Sequence, residues 1–153
     1  MGLDMYLWKI KREEVAYWRK ANAIHAWFER KYAEDEGLEN CRDYHVGKED
    51  LIELRNLCQN ILDKAVVTVG KVKNGERLNN KTGEWEAIYE EGEVIDNPEM
   101  AQELLPTQDG FFFGSTDYNK WYIEDLKLTV KQIDKILETT DFNKEEIVYS
   151  AWW

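Results

Sequence analysis

The sequence has few of the residues that build metal sites, disulfide frameworks or membrane helices. Among 153 residues there are two cysteines, Cys41 and Cys58, and two histidines, His25 and His45. The cysteines do not form a CxxC pair, so we expect two reduced thiols and no zinc centre. No apolar run reaches the roughly 18 residues that a membrane helix requires. The opening residues also lack the basic-then-apolar order of a signal peptide. We therefore expect a cytoplasmic protein without metal, cofactor or membrane contact.

Positive charge is also scarce, because 20 basic residues face 31 acidic ones and give a net charge of −11. This balance argues against direct nucleic-acid binding, which relies on basic side chains that neutralise phosphates. The negative charge is concentrated: residues 81 to 105 contain eight acids and one base, which is −7 of the −11. A protein that imitates DNA would spread its charges along a long face, so the clustering disfavours DNA mimicry.

Hydrophobic periodicity predicts an α+β fold within a single domain, residues 1 to 153. Apolar residues at steps of three and four predict a first long helix from Tyr17 to Tyr32 and a last one from Asn119 to Glu138. A further helix is expected in the segment "GKEDLIELRNLCQNILDKA". Residues 3 to 10, "GFFFG" and "EEIVYSAWW" read as strands. The predicted architecture is a mixed β-sheet with the two long helices packed on it.

A β-hairpin is predicted between these helices. The turn signals Asn74-Gly75 and Thr82-Gly83 lie between β-branched "AVVTVGKV" and the strand "EWEAIYEE". This region contains the acidic cluster and few strongly apolar residues. We therefore interpret residues 68 to 100 as an acidic hairpin at the periphery of the domain.

One face of the first helix is a candidate binding surface. Trp18, Asn22 and His25 follow one another at spacings of four and three, which places them on one side of a helix. They are either an ordinary boundary between core and solvent, or a wall that stacks on a flat ring and hydrogen-bonds its edges. Arg19 lies beside them and suits an anion, which a guanidinium binds through two N–H groups.

The stretch "DGFFFGSTDYNKWY", residues 109 to 122, is the candidate second wall. In a strand, Phe112 faces away from its two neighbours, and the flanking glycines permit close backbone approach. Ser115 and Thr116 precede a helix whose first N–H groups favour anions, although Asp117 is an alternative cap for that helix. The predicted ligand-binding residues are Trp18, Arg19, Asn22, His25, Phe112, Ser115, Thr116, Tyr118 and Trp121.

Catalytic motifs are absent from the sequence. There is no GxSxG serine and no GxxxxGK[ST] phosphate loop. Cys41 and His45 would lie about 13 Å apart on a strand that rises roughly 3.3 Å per residue, too far for a nucleophile and its base. We assign no catalytic residue and expect a binding protein, although enzymatic activity stays open.

Four segments resemble a group of small proteins encoded by bacteriophages and prophages: "MGLDMYL", "YWRKANAIHAWF", "YHVGKEDLIELRNLC" and "LLPTQDGFFFGSTDYNKWYIEDL". The resemblance covers residues 1 to 62 and 101 to 153 and leaves out the acidic hairpin. It carries no activity, but it implies a small accessory protein that acts inside an infected bacterium.

In that context three functions are open. The first is a protein, monomeric or homo-oligomeric, that sequesters a small nucleotide-like ligand, such as a signal of bacterial immunity, without cleaving it. Such a protein needs aromatic rings for bases and cations or N–H groups for phosphates. The second is an acidic interaction protein that blocks a host defence protein. The third is a phosphodiesterase-like enzyme that uses His25 or His45.

Overall fold

Helices and antiparallel strands alternate along the chain and confirm the α+β class. The computed structural model describes residues 2–7, 9, 11–110 and 113–153. In this part of the chain the helices are α1 (Asn22–Tyr32), α2 (Lys48–Lys64), α3 (Pro98–Leu104) and α4 (Lys120–Thr139). The strands are β1 (Tyr44–Val46), β2 (Val67–Leu78), β3 (Trp85–Ile95) and β4 (Ile147–Tyr149).

The core lies mainly between α2 and α4, the two longest helices. Helix α2 begins after Gly47, carries two acids in its first turn and buries one stripe of apolar residues. Asn119 caps α4, because its side chain accepts a hydrogen bond from the Trp121 backbone N–H at 3.0 Å. The interface between the two helices is built from fully buried side chains, among them Leu54, Ile61, Leu126 and Ile133.

The strands form two separate antiparallel pairs and not the single mixed sheet that we predicted. β1 pairs with β4, with Tyr44 opposite Tyr149, and β2 pairs with β3 in the hairpin. The backbone of the hairpin contacts the rest of the chain at an isolated bridge between Val94 and Asn119. Because β1 and β4 have only three residues each, helices, and not a broad sheet, enclose the core.

Three predicted elements differ from the structure. Residues 2–7 and 9 form no regular element, and Leu3, Met5 and Leu7 are exposed, because α1, α2 and α4 close the core without them. The first long helix begins at Asn22 and not at Tyr17, since Lys20 has a φ of +58° that a helix does not accommodate.

The predicted strand "GFFFG" is the third difference. Phe111 and Phe112 lie outside the described residues, whereas Gly110, Phe113 and Gly114 are not in a strand. Instead, the Phe113 N–H donates to the Gly110 carbonyl at 3.1 Å. Gly114 has a φ of +85°, and a Cβ there would lie 3.1 Å from the Cβ of Lys20. This glycine therefore permits close packing on Lys20.

The predicted hairpin is present, and its strands are 12 and 11 residues long. Most of its side chains are exposed, but Val72 and Ile95 are buried. No helix in the described ranges is long and apolar enough to cross a membrane. That the hairpin is a peripheral appendage stays a prediction. Removing its outer part tests it.

We expect that the outer part of the hairpin can be removed without loss of the fold. Lys73 and Tyr89 are directly opposite each other in the ladder, so Asn-Gly can replace residues 74–88 as a two-residue turn. The free energy of unfolding in urea should change by less than about 1 kcal/mol, since Val72 and Ile95 are retained. As the control, Leu54→Ala should lower it by about 2–5 kcal/mol. Insoluble or non-cooperative shortened protein would show that the outer hairpin belongs to the core.

Candidate functional site

Asn22, the first residue of α1, is a buried amide that fixes a loop. Its Nδ2 group donates to the carbonyl oxygens of Phe113 (3.0 Å) and Ser115 (2.8 Å). Its Oδ1 atom accepts from the backbone N–H of Gln108 at 3.1 Å. Both amide hydrogens and the amide oxygen are therefore engaged by backbone groups. In this arrangement Asn22 holds the loop and has no hydrogen left to donate to a ligand.

Trp18 is also held by internal contacts. Its indole Nε1 donates to the Thr129 hydroxyl on α4 at 2.8 Å, and its ring meets the Phe28 ring edge-on with centroids 6.3 Å apart. The Thr129 hydroxyl in turn donates to the Asp125 carbonyl at 2.7 Å. Trp18 thus attaches the segment before α1 to α4. This arrangement fits the ordinary boundary between core and solvent, which was the alternative to a binding wall.

His25 lies one turn further along α1, inside an aromatic cluster. The ring centroids of Phe113, Tyr149 and Trp153 are 5.3, 6.0 and 5.1 Å from that of His25. The Nδ1 atom of His25 is 2.6 Å from the Tyr149 hydroxyl. Only 9% of His25 is exposed, whereas Trp153 is 43% exposed and forms the outer side of the cluster.

The second ring nitrogen of His25 has no hydrogen-bond partner among the described residues. The nearest acidic atom is Oε2 of Glu29, 3.7 Å from Nε2, which is too long for a hydrogen bond. Burial lowers the pKa of His25 below 6.5, and Glu29 opposes this effect to a smaller extent. Burial also raises the pKa of Tyr149, again with a contribution from Glu29. His25 is therefore neutral near pH 7 and Tyr149 keeps its proton.

The predicted residues after Phe113 are distributed over different environments. The side chains of Ser115 and Thr116 are exposed, and the Ser115 hydroxyl accepts from the Asp117 backbone N–H at 3.1 Å. The Tyr118 hydroxyl accepts from the Thr107 N–H at 3.1 Å. Asn119, and not Asp117, caps the following helix. The hydroxyls of Ser115 and Tyr118 thus accept hydrogen bonds from backbone N–H groups within the same segment.

The remaining predicted residues do not join the His25 cluster in the described part of the structure. Trp121 lies against the hairpin, where its Nε1 donates to the Lys73 carbonyl at 3.5 Å and Lys120 lies over its ring. Arg19 is exposed, and Phe112 lies outside the described residues. The structure therefore brings together Asn22, His25 and the backbone of Ser115, and it places Trp121 and Tyr118 elsewhere.

Four residues of this cluster were absent from the sequence-based set: Glu29, Phe113, Tyr149 and Trp153. Glu29 follows His25 by one helical turn, so its spacing was a usable signal. Tyr149 and Trp153 come from the other end of the chain. Only the pairing of β1 with β4 and the contact of Asn40 with the Trp153 backbone place them here.

A groove lies elsewhere, between α2 and α4. It has a volume of about 730 Å³ and is lined mostly by charged side chains of both signs, among them Asp63, Lys131 and Glu138. None of the predicted ligand-binding residues lines this groove. Among the described residues there is also no group of three or more histidine, cysteine or acidic side chains that would hold a metal ion.

A second candidate surface is one side of the hairpin, here called the hairpin face. Alternation and cross-strand register place five exposed apolar side chains on this side. Trp85 is opposite Leu78, and Tyr89 is opposite Lys73, with exposed fractions of 69% for Trp85 and 59% for Tyr89. The hairpin face consists of Val67, Val69, Leu78, Trp85 and Tyr89, the exposed carboxylates Glu91 and Glu93, and the lysines Lys71 and Lys73, which the register places opposite Glu91 and Tyr89.

The opposite side of the hairpin is attached to α4. Val72 is fully buried there, and the Lys120 ammonium lies 2.7 Å from a Glu90 carboxylate oxygen. One side of the hairpin thus has internal partners, whereas the hairpin face presents apolar side chains together with carboxylates and lysines to solvent.

Comparison with protein-family models, curated proteins and solved structures gives no match, so the function has to be argued from these two surfaces.

Asn22→Ala should loosen the loop before it unfolds the protein. The substitution leaves the Gln108 N–H and two carbonyl groups without their partner, at a cost of about 1–3 kcal/mol for each group that stays buried. Hydrogen exchange should therefore accelerate at Gln108 more than at core amides of α2. Asn40→Ala, which removes the anchors of Trp153, is the matched control and should leave Gln108 protected. Equal acceleration at both sites would contradict the role of Asn22.

Protonation of His25 should destabilise the protein in acid. Its folded pKa lies below the unfolded value of 6.5, so the unfolded chain binds a proton first as the pH falls. The associated stability is present above pH 6.5 and is lost as the pH falls through the folded pKa. In urea titrations between about pH 7 and pH 5, His25→Gln should therefore reduce the loss of stability. The exposed His45→Gln is the control, and an unchanged slope in His25→Gln would refute the assignment.

Proposed function

We propose that the protein is an interaction protein that binds a basic surface of a partner protein through the hairpin face. The observation that carries this proposal is the exposure of Trp85 and Tyr89 on one side of a hairpin whose other side is attached to α4. Contiguous exposed apolar side chains mark interaction sites. Tryptophan and tyrosine in particular supply much of the binding energy at protein interfaces.

The charge around the hairpin face indicates the chemistry of the partner. Between residues 85 and 104 the chain has seven acids and no base: Glu86, Glu90, Glu91, Glu93, Asp96, Glu99 and Glu103. Glu86 and Glu90 have partners in Arg77 and Lys120. On the hairpin face Glu91 is opposite Lys71, whereas Glu93 is opposite Val69 and has no base directly across the ladder. Complementary charge accelerates association and selects the partner, so we expect lysine and arginine around an apolar patch on the partner.

The phage context implied by the sequence resemblance makes a host protein the expected partner. A small protein that covers a basic surface of a defence protein blocks whatever that surface binds. The proposal requires no catalysis.

Two other functions, ligand sequestration and phosphodiesterase-like catalysis, have less support from the geometry. Sequestration of a nucleotide-like ligand stays a proposal that depends on His25, because Trp18 and Asn22 are engaged in internal contacts. Glu29 beside His25 also opposes a phosphate at that position. For a phosphodiesterase-like activity, His45 is exposed and its nearest acid is Glu146 at 3.6 Å. The hydroxyl beside His25 belongs to Tyr149, whose pKa burial raises, so it keeps its proton, and the described contacts of His45 include no nucleophile.

The test is a comparison of partner binding by three forms of the protein. Wild type should co-purify a discrete bacterial protein whose affinity falls as salt rises from about 0.05 to about 0.5 M, because salt screens exposed charges. Trp85→Ala/Tyr89→Ala should weaken this complex at least about tenfold, since each lost anchor costs more than about 1 kcal/mol. Trp152→Ala, which removes an 83% exposed indole outside the hairpin, is the control and should bind as wild type does.

Two results would contradict the proposal. One is a complex that the double variant forms with unchanged affinity, which would place the interface elsewhere. The other is equal loss of binding in the double variant and in Trp152→Ala, which would indicate nonspecific hydrophobic adsorption.

A further inference from the structure

The hairpin has only two strands, so each strand has one long edge that faces away from its partner, here called its outer edge. Two neighbouring residues show which backbone groups of β3 reach this edge. The Asp96 N–H donates to the Val66 carbonyl, directly before β2, at 2.7 Å. The Ile95 N–H instead donates to the Tyr118 carbonyl at 3.0 Å, on the other side of β3. Because backbone groups alternate between the two edges of a strand, the odd-numbered residues of β3 direct their N–H and C=O groups to the outer edge.

Most of the outer edge of β3 has no partner strand. The segment around Asn119 occupies only one end of it, through the bridge to Val94. In the part of the chain that the structure describes, no third strand and no backbone hydrogen bond covers the remainder. The unpaired backbone groups belong to Trp85, Ala87, Tyr89 and Glu91. A free edge of this kind is a template for a further strand.

A segment that suits this edge lies at the start of the chain. Residues 2–7, here called the arm, form no regular element. Leu3, Met5 and Leu7 are each at least 80% exposed. In a strand these three side chains lie on one side, because alternate residues share a side. The arm thus has the alternating apolar pattern of a strand whose side chains need cover.

Length and charge match the arm to the edge of β3. The arm has six residues, 2–7, and the free part of the edge has seven, 85–91. Two exposed lysines, Lys9 and Lys11, follow the arm. Strand β3 has four acids and no base between Trp85 and Ile95. Opposite charges on the two segments favour their association and disfavour pairing of β3 with another β3.

A second copy of the chain is the source of the arm. In the described ranges the arm of the same chain forms no β-bridge with the hairpin. Beyond the arm, the Arg12 guanidinium lies 2.8 Å from the Asp43 carboxylate, close to β1, which belongs to the other sheet. A second copy supplies the same segment without any change in the fold of either chain.

We propose that the arm of one copy pairs as a third strand with the outer edge of β3 in a second copy. Strand addition of this kind obtains its affinity from main-chain hydrogen bonds and its specificity from alternate side chains. Reciprocal exchange of two arms closes a symmetric dimer. The contact needs no other protein, so it does not rest on the function proposed above.

Two variants remove the two halves of this contact. One lacks residues 2–7. The other is Ala87→Pro, which loses an N–H that points out of the ladder and places its ring on the edge. In sedimentation equilibrium of the purified protein, wild type should be a dimer. Each variant should dimerise at least about tenfold more weakly, because hydrogen bonds to the added strand are lost.

Val69→Pro is the matched control. Val69 is opposite Glu93 in the ladder, so its N–H also points outward, but to the outer edge of β2. This variant should dimerise as wild type does, and urea unfolding of both proline variants verifies that they fold. A mixture of the variant without residues 2–7, which keeps the edge, and Ala87→Pro, which keeps the arm, should form mixed dimers more strongly than either forms dimers with itself.

Three results would overturn the proposal. The first is a monomeric wild type, which includes an arm that packs on its own hairpin. The second is unchanged dimerisation of the variant without residues 2–7, which places the interface elsewhere and decides the matter even if Ala87→Pro does not fold. The third is equal weakening by Val69→Pro and Ala87→Pro, which indicates damage to the whole hairpin and not a block at the edge of β3.

Discussion

The hydrogen bonds of one buried amide organise the region on which the candidate ligand site depends. Asn22 binds the backbone of Gln108, Phe113 and Ser115 and so fixes the loop before α4 against the start of α1. This contact places the Phe113 ring on His25. Backbone groups engage both amide hydrogens and the amide oxygen of Asn22, whereas Nε2 of the neighbouring His25 has no hydrogen-bond partner among the described residues.

The two candidate surfaces differ in how far the protein core encloses them. The His25 cluster is enclosed by the rings of Phe113, Tyr149 and Trp153, and Nε2 of His25 is inaccessible to solvent. The hairpin face is open, and its opposite side is held by Val72 and the Lys120–Glu90 ion pair. Such a ribbon suits a broad protein surface, since a flat strip of apolar side chains interspersed with carboxylates and lysines offers no concave pocket for a small molecule.

The sequence predicted the parts of the structure that local pattern determines. The periodicity of α2 and α4 predicted these two helices, and the turn signals at Asn74-Gly75 and Thr82-Gly83 predicted the hairpin. Both predictions succeeded because each pattern depends on residues that are close in sequence. The predicted start of α1 was wrong because Lys20 has a positive φ. A lysine in the sequence does not indicate this backbone conformation, as a glycine would. Trp18 and Asn22 share a spacing typical of a binding face. Their actual partners, Thr129 and the 108–115 backbone, are distant in sequence, and no local pattern predicts them.

The central claim, that the hairpin face contacts a basic protein, is tested most directly by site-specific photo-cross-linking. A photoreactive phenylalanine analogue at position 89 lies within the hairpin face, and the same analogue at position 152 lies on an exposed side chain outside it. Irradiation in bacterial cells should give one discrete adduct from position 89, with cross-links in a lysine- and arginine-rich segment of the captured protein, and none from position 152. No adduct from position 89, or the same adducts from both positions, would contradict the account.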